Sequence, residues 1–128
     1  ITAFVMKDGE PFISFGLMGG AMQPQGHVQV VVNIIDFGMD VQTAGDAARF
    51  NHDGGRQPTG DHEDLLGTLL VEPGVPAATV EQLRAMGHRV EVDATGAPFG
   101  GYQAIMRLSN GVYVGATEMR KDGTVVAW

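Results

Sequence analysis

The sequence predicts a layered α+β domain, on three observations. Short apolar runs stand on either side of Asp8-Gly9, and again around Asn110-Gly111, the kind of dipeptide that closes a tight hairpin. Gln23 to Phe37 has helical length, with Pro24 near its start and Gly38 past its end. Val80, Leu83 and Met86 share a helix face, and Gly87 follows as a C-cap. Strands at both ends with helices between them fit helices covering sheet faces. The 128 residues are read as a single domain over residues 1–128. A chain of this size can bury roughly two-thirds of its unfolded surface, so a real core is attainable.

Each element follows in order. Ala3 to Met6 and Phe12 to Phe15 form the first hairpin, around Lys7-Asp8-Gly9-Glu10. Gly16-Leu17-Met18-Gly19-Gly20 reads as a turn. In the next segment Val28, Val30, Val31, Val32, Ile34, Ile35 and Phe37 cover most of a helix circumference, which predicts burial between layers. Their β-branched content makes a strand the competing reading; length and the Pro-then-Gly punctuation decide for a helix. Val41 to Ala48 is a second short helix with Asp40 as its N-cap. Asn51 to Glu63 is polar and glycine-rich and reads as an exposed loop. Leu65 to Glu72 reads as a strand closed by Pro73-Gly74, Ala77 to Met86 as a helix, and Arg89 to Val92 as a strand. Tyr102 to Leu108 and Val112 to Ala116 form the last hairpin. The predicted order is ββ-αα-β-α-βββ, and seven methionines suggest a soft core.

Composition excludes several classes. Hydrophobic residues at 44% against charged residues at 18% exclude disorder. Fifteen acids against eight bases leave a net charge of -7, so neither nucleic acid nor an anionic membrane is an expected partner. No run reaches the roughly 18 apolar residues of a membrane span. Absence of cysteine excludes thiol catalysis and Cys-based metal sites and leaves the compartment open. The start, ITAFVMKDGE, has no signal-peptide pattern and no initiator Met, so the sequence reads as a piece of a longer protein.

The candidate chemistry begins at Gly16 to Gly20. Glycines between a strand and a buried helix let the backbone turn its N–H groups outward, beside the positive end of the helix dipole. That arrangement suits an oxyanion hole or anion cradle; a tight strand-to-helix turn without a ligand is the alternative. No Gly-Lys-Ser/Thr follows, so it is not a phosphate loop. His52, Asp53, Asp61, His62, Glu63 and Asp64 are metal-ligand types, but their spacing fits a solvated acidic loop better. His27 is read as a helix-end histidine bonded to backbone, with a cleft-lining role as the alternative. His88 is read as a cation suited to a helix C-terminus. Asp36 is a polar interruption expected to find a partner, with Arg49 the candidate. Phe99-Gly100-Gly101-Tyr102 is a second glycine turn, explained by close packing.

Several stretches, in this order, resemble the C-terminal part of the γ-glutamyltranspeptidase (γ-glutamyltransferase) family. Phe15-Gly16-Leu17-Met18-Gly19-Gly20-Ala21-Met22-Gln23-Pro24-Gln25-Gly26-His27-Val28-Gln29 is similar to a segment of the family's bacterial and archaeal branch. Asn33 to Ala44 resembles the helix pair that follows, and Ala47-Ala48-Arg49-Phe50 stands where an Ala-Pro-Arg stretch is common. Val71-Glu72, Leu83 to Val90, Gln103-Ala104-Ile105 and Gly115-Ala116 continue in family order, so the resemblance covers nearly the whole chain.

The resemblance implies an N-terminal nucleophile hydrolase fold, a four-layer αββα sandwich of which this chain is a part. It implies a self-cleaving precursor whose new N-terminal Thr attacks a γ-glutamyl carbonyl, with its own α-amine as base. Gly19 and Gly20 match the Gly-Gly pair whose N–H groups hold the tetrahedral oxyanion. No cofactor and no metal are implied. The nucleophile lies upstream of this region in the family, and Thr2 does not match its context, so the partner is the remainder of the parent protein. Leu17-Met18 stands where the classical enzymes have Ser-Pro, and Thr117-Glu118-Met119-Arg120 replaces the common Ser-Asp-Pro-Arg. The expected substrate is therefore a γ-glutamyl compound or a related amide, with a cephalosporin-acylase-like hydrolase as one alternative. A non-catalytic structural or assembly fragment is the other. Apolar faces left uncovered would favour self-association into a homo-oligomer.

Overall fold

A computed structural model describes residues 1–54 and 67–128. The chain forms two compact units, one of residues 1–47 with 100–128 and one of residues 48–99.

The first unit holds a four-stranded antiparallel sheet. Its strands are β1 (Thr2–Lys7), β2 (Glu10–Met18), β6 (Gly101–Arg107) and β7 (Tyr113–Thr117), in the spatial order β1-β2-β6-β7. Lys7 pairs with Glu10 across a two-residue turn, in which Asp8 and Gly9 take φ of 53° and 81°. That left-handed pair matches the twist of the flanking strands, as the Asp-Gly reading requires. Side chains alternate across the sheet with period two. Ile13, Phe15 and Leu17 of β2, Tyr102, Ala104 and Met106 of β6, and Ala116 of β7 face one buried layer. Helices α1 (Met22–Ile35) and α2 (Val41–Asp46) close that layer through Met22, Val30 and Val41.

The second unit holds β3 (Phe50–Asp53), β4 (Thr68–Val71) and β5 (Arg89–Val92). β3 pairs antiparallel with β4, and β4 parallel with β5. Helix α3 (Ala77–Ala85) connects the parallel pair, and Val71, Val80 and Val90 form its core. Gly87 ends α3 at φ 95°, as its C-cap position predicts.

The α+β class and most elements match the expectation; the differences have physical causes. Leu17 and Met18 belong to β2 rather than to a turn, because β6 pairs with β2 out to Met18 opposite Gly101. Asn51 to Asp53 belong to β3 rather than to a loop, because β4 offers them a backbone partner. Residues 55–63 of that predicted loop, with Asp61, His62 and Glu63, then Asp64, and Leu65-Leu66 of the predicted strand, lie outside the described residues. α1 is not buried all round. It packs on β2 along one face and leaves Val28 and Ile35 63% and 57% exposed, and it ends at Ile35, before Phe37. The methionines are not a core set either: Met22 and Met106 are buried, whereas Met6, Met18, Met86 and Met119 are exposed.

Candidate functional site

β2 delivers the chain to the first unit's glycine turn. Gly19 takes φ 125° and Gly20 φ 59°, a succession that side-chain-bearing residues resist. The Gly19 carbonyl accepts from Met22 N and the Gly20 carbonyl from Gln23 N, both at 3.1 Å. Both carbonyls are thereby turned into the first turn of α1. A planar trans peptide carries its N–H opposite its C=O, so the Gly20 N–H points away from that turn. Neither the Gly19 nor the Gly20 N–H donates to another described residue. Both residues are exposed, and Ala21 adds no side-chain cap. Two adjacent, exposed backbone N–H groups are thus left without an acceptor among the described residues.

His27 lies one turn further along α1. Its Nε2 accepts from Leu17 N at 3.3 Å, and its ring meets Phe15 edge-on at 5.1 Å between centroids. Burial is the main cause that holds its pKa below the ordinary value of 6.5, followed by the Ile1 amino group. A neutral ring whose Nε2 already accepts a backbone N–H fastens α1 to the end of β2. This matches the reading of a helix-end histidine bonded to backbone.

Asp36 and Asp40 both stand at helix ends. Asp36 is an exposed C-cap of α1, so it needs no buried partner. Asp40 caps α2, accepting from Gln42 N and Thr43 N at 2.9 Å each and from the Thr43 hydroxyl. That hydroxyl, with the backbone N–H groups, holds the Asp40 pKa below its usual value. Arg49, the partner expected for Asp36, is engaged within the second unit. It is buried; its Nη1 donates to Phe99 O at 2.8 Å and its N–H to Glu72 Oε2 at 2.7 Å.

One polar network escaped the sequence reading. Gln42 of α2 pairs with the main chain of Thr117: its Nε2 donates to Thr117 O at 2.8 Å, and its Oε1 accepts from Thr117 N at 3.3 Å. Arg120 donates to Gly45 O and Ala47 O, at 3.0 Å each, and forms an ion pair with Glu118. The Glu118-x-Arg120 spacing was the available signal, but sequence alone names no carbonyls for it. A groove of about 430 Å³ lies over the sheet, lined by Thr2, Ser14, Gly16, Ile105, Gly115 and Val125 among others. It has room but no titratable group among its lining residues.

A family model described as gamma-glutamyltranspeptidase matches residues 1–128. The chain is 32% identical, over 127 residues, to a glutathione hydrolase-like YwrD proenzyme of Bacillus subtilis, covering 98% of this chain and 23% of that protein. It is 34% identical, over 123 residues, to a glutathione hydrolase proenzyme of Escherichia coli, covering 96% and 19%. Among solved structures, a cephalosporin acylase from Bacillus halodurans is similar at 40% identity and a TM-score of 0.83, covering 98% of this chain and 22% of that one. The chain therefore spans about a fifth of the curated relatives it matches, on the 23% and 19% shares above. It belongs to the gamma-glutamyltranspeptidase family, and its α+β fold is part of an N-terminal nucleophile hydrolase sandwich.

Proposed function

We propose that, as a member of this family, the chain supplies the oxyanion-stabilising turn of an amide-cleaving hydrolase or acyltransferase. The observation that carries this reading is the pair of outward N–H groups at Gly19 and Gly20, which no described residue accepts. The nucleophile comes from the remainder of the parent protein. It adds to the acyl carbonyl, and the carbonyl oxygen gains a full negative charge in the tetrahedral intermediate. Two fixed N–H dipoles stabilise that charge more than they stabilise the neutral carbonyl, which is the condition for lowering the barrier. Collapse of the intermediate expels the amine. Water or an acceptor amine then resolves the acyl-enzyme through a second intermediate held by the same donors.

A γ-glutamyl amide is the first substrate class. A second reading, an acylase for a different acyl group, is favoured by one observation. Met18 places a half-exposed apolar side chain directly before the two donors, while Leu17 is buried in the core. Cleavage of γ-glutamyl anilide against glutaryl anilide, which lacks the α-amine, separates the two in the parent protein. The turn itself is tested by Gly20→Val. A Cβ at Gly20 meets nothing within 4 Å, so the change brings no clash, but a β-branched residue resists φ 59°. The turn would reorient at little cost to the fold, and turnover should fall roughly 100-fold, as for loss of one donor. Unchanged turnover would remove the turn from the mechanism.

A further inference from the structure

We propose that Gly100 is a positioning residue that sets the direction of the Gly19 N–H. The proposal rests on the oxyanion reading above and adds a residue to it. The second glycine turn packs against the first, backbone on backbone. A Cβ at Gly100 would lie 2.1 Å from Met18 O and 2.6 Å from Leu17 Cδ2. From the opposite side, a Cβ at Gly19 would lie 3.1 Å from the Gly100 Cα. Met18 opposite Gly101 is the last pair of the β2–β6 ladder, so Gly19 and Gly100 are the first residues beyond it. Beyond that pair no strand pairing holds them, and the two backbones lie against each other.

Met18 O and the Gly19 N–H belong to one peptide group. In a planar trans peptide they point in opposite directions. Whatever fixes the carbonyl therefore fixes the donor. The bare Cα of Gly100 lets the Met18 carbonyl lie flush against it, which directs the Gly19 N–H to the far side. A side chain at 100 would push that carbonyl away and rotate the whole peptide, donor included. Gly96 provides the contrast. Its φ of 72° matches the 74° of Gly100, but a Cβ there meets nothing within 4 Å. Backbone conformation alone accounts for glycine at 96; at 100 the approach of Met18 O is a second requirement.

The test uses the full-length parent and whichever of the two anilides it cleaves. Gly100→Ala should lower kcat roughly 10- to 100-fold, a fraction of the loss expected for a whole donor, with KM within about twofold. Gly100→Asn should do the same; asparagine tolerates left-handed backbone, so it keeps the steric push while relieving the φ penalty. Gly96→Ala, with the same φ penalty and no contact, should keep wild-type kcat. The proposal is overturned if Gly100→Ala turns over within twofold of wild type, or if Gly96→Ala loses as much. It is equally overturned if only KM changes, or if neither variant at 100 folds while Gly96→Ala does, since the junction is then a folding requirement. Slow Gly20→Val beside fast Gly100→Ala refutes the positioning role alone. Unchanged Gly20→Val, or a parent that cleaves neither anilide, refutes the oxyanion reading and this proposal with it.

Discussion

Replacing Arg120 by methionine should destabilise the first unit by about 3–5 kcal/mol, the range for breaking a buried ion pair from one side. The side chains of Arg120 and Glu118 are only 4% and 0% exposed. Methionine keeps most of the bulk and removes the charge, so the Glu118 carboxylate stays buried without its countercharge. The carbonyls of Gly45 and Ala47, at the end of α2, lose their guanidinium donor as well. Removing both charges together, Glu118→Gln with Arg120→Met, takes away the buried carboxylate and should recover more than half of the loss. Urea unfolding of the chain measures this, followed by far-ultraviolet circular dichroism, because the sole tryptophan, Trp128, is fully exposed and reports little on folding. With a slope of about 2 kcal/mol per molar urea, the single change moves the midpoint down by about 2 M. A single-variant loss below about 1 kcal/mol would refute the reasoning, as would a double variant no more stable than the single. An Arg120→Met chain that is unfolded without urea and refolds as the double variant would support it.

Two further predictions concern the same unit. Tyr102 is fully buried, and its hydroxyl donates to Val41 O at 3.1 Å, so Tyr102→Phe should cost about 1–2 kcal/mol by leaving that carbonyl short of a donor; urea unfolding reads it, and a neutral result would show the bond to be dispensable. His27 has a folded-state pKa below 6.5, so the unfolded chain binds its proton first as the pH falls. Its contribution is complete above the unfolded value and is lost as the pH drops from about 6.5 toward the folded value; His27→Gln, which keeps an acceptor for Leu17 N but does not titrate, should flatten that part of the stability profile, and equal slopes for both proteins would refute it.

Much of this architecture is legible in the sequence because local physics decides it. Asp8-Gly9 selects a hairpin turn and Asp40 caps a helix whatever lies elsewhere in the chain. Gly19 and Gly20 stand out as a turn before a helix, and the structure gives both the positive φ that glycine permits. Where the sequence misleads, a long-range partner intervenes. Asn51 to Asp53 have loop composition and lie in a strand, since β4 satisfies their backbone. Leu17 and Met18 sit among glycines and still extend β2, since β6 runs beside them.

The sequence by itself determined the α+β class, the hairpins, the caps and the place of the glycine turn, because those follow from φ preferences, side-chain period and capping over a few residues. Only the tertiary structure decided that Arg49 serves Phe99 O and Glu72, that Arg120 holds the end of α2, and that Gly100 lies against the Met18 carbonyl. Each of these joins segments far apart in the chain, and all three include a contact to a backbone carbonyl. Every residue carries the same carbonyl, so no residue type in the sequence marks which one a distant guanidinium or a bare Cα will meet.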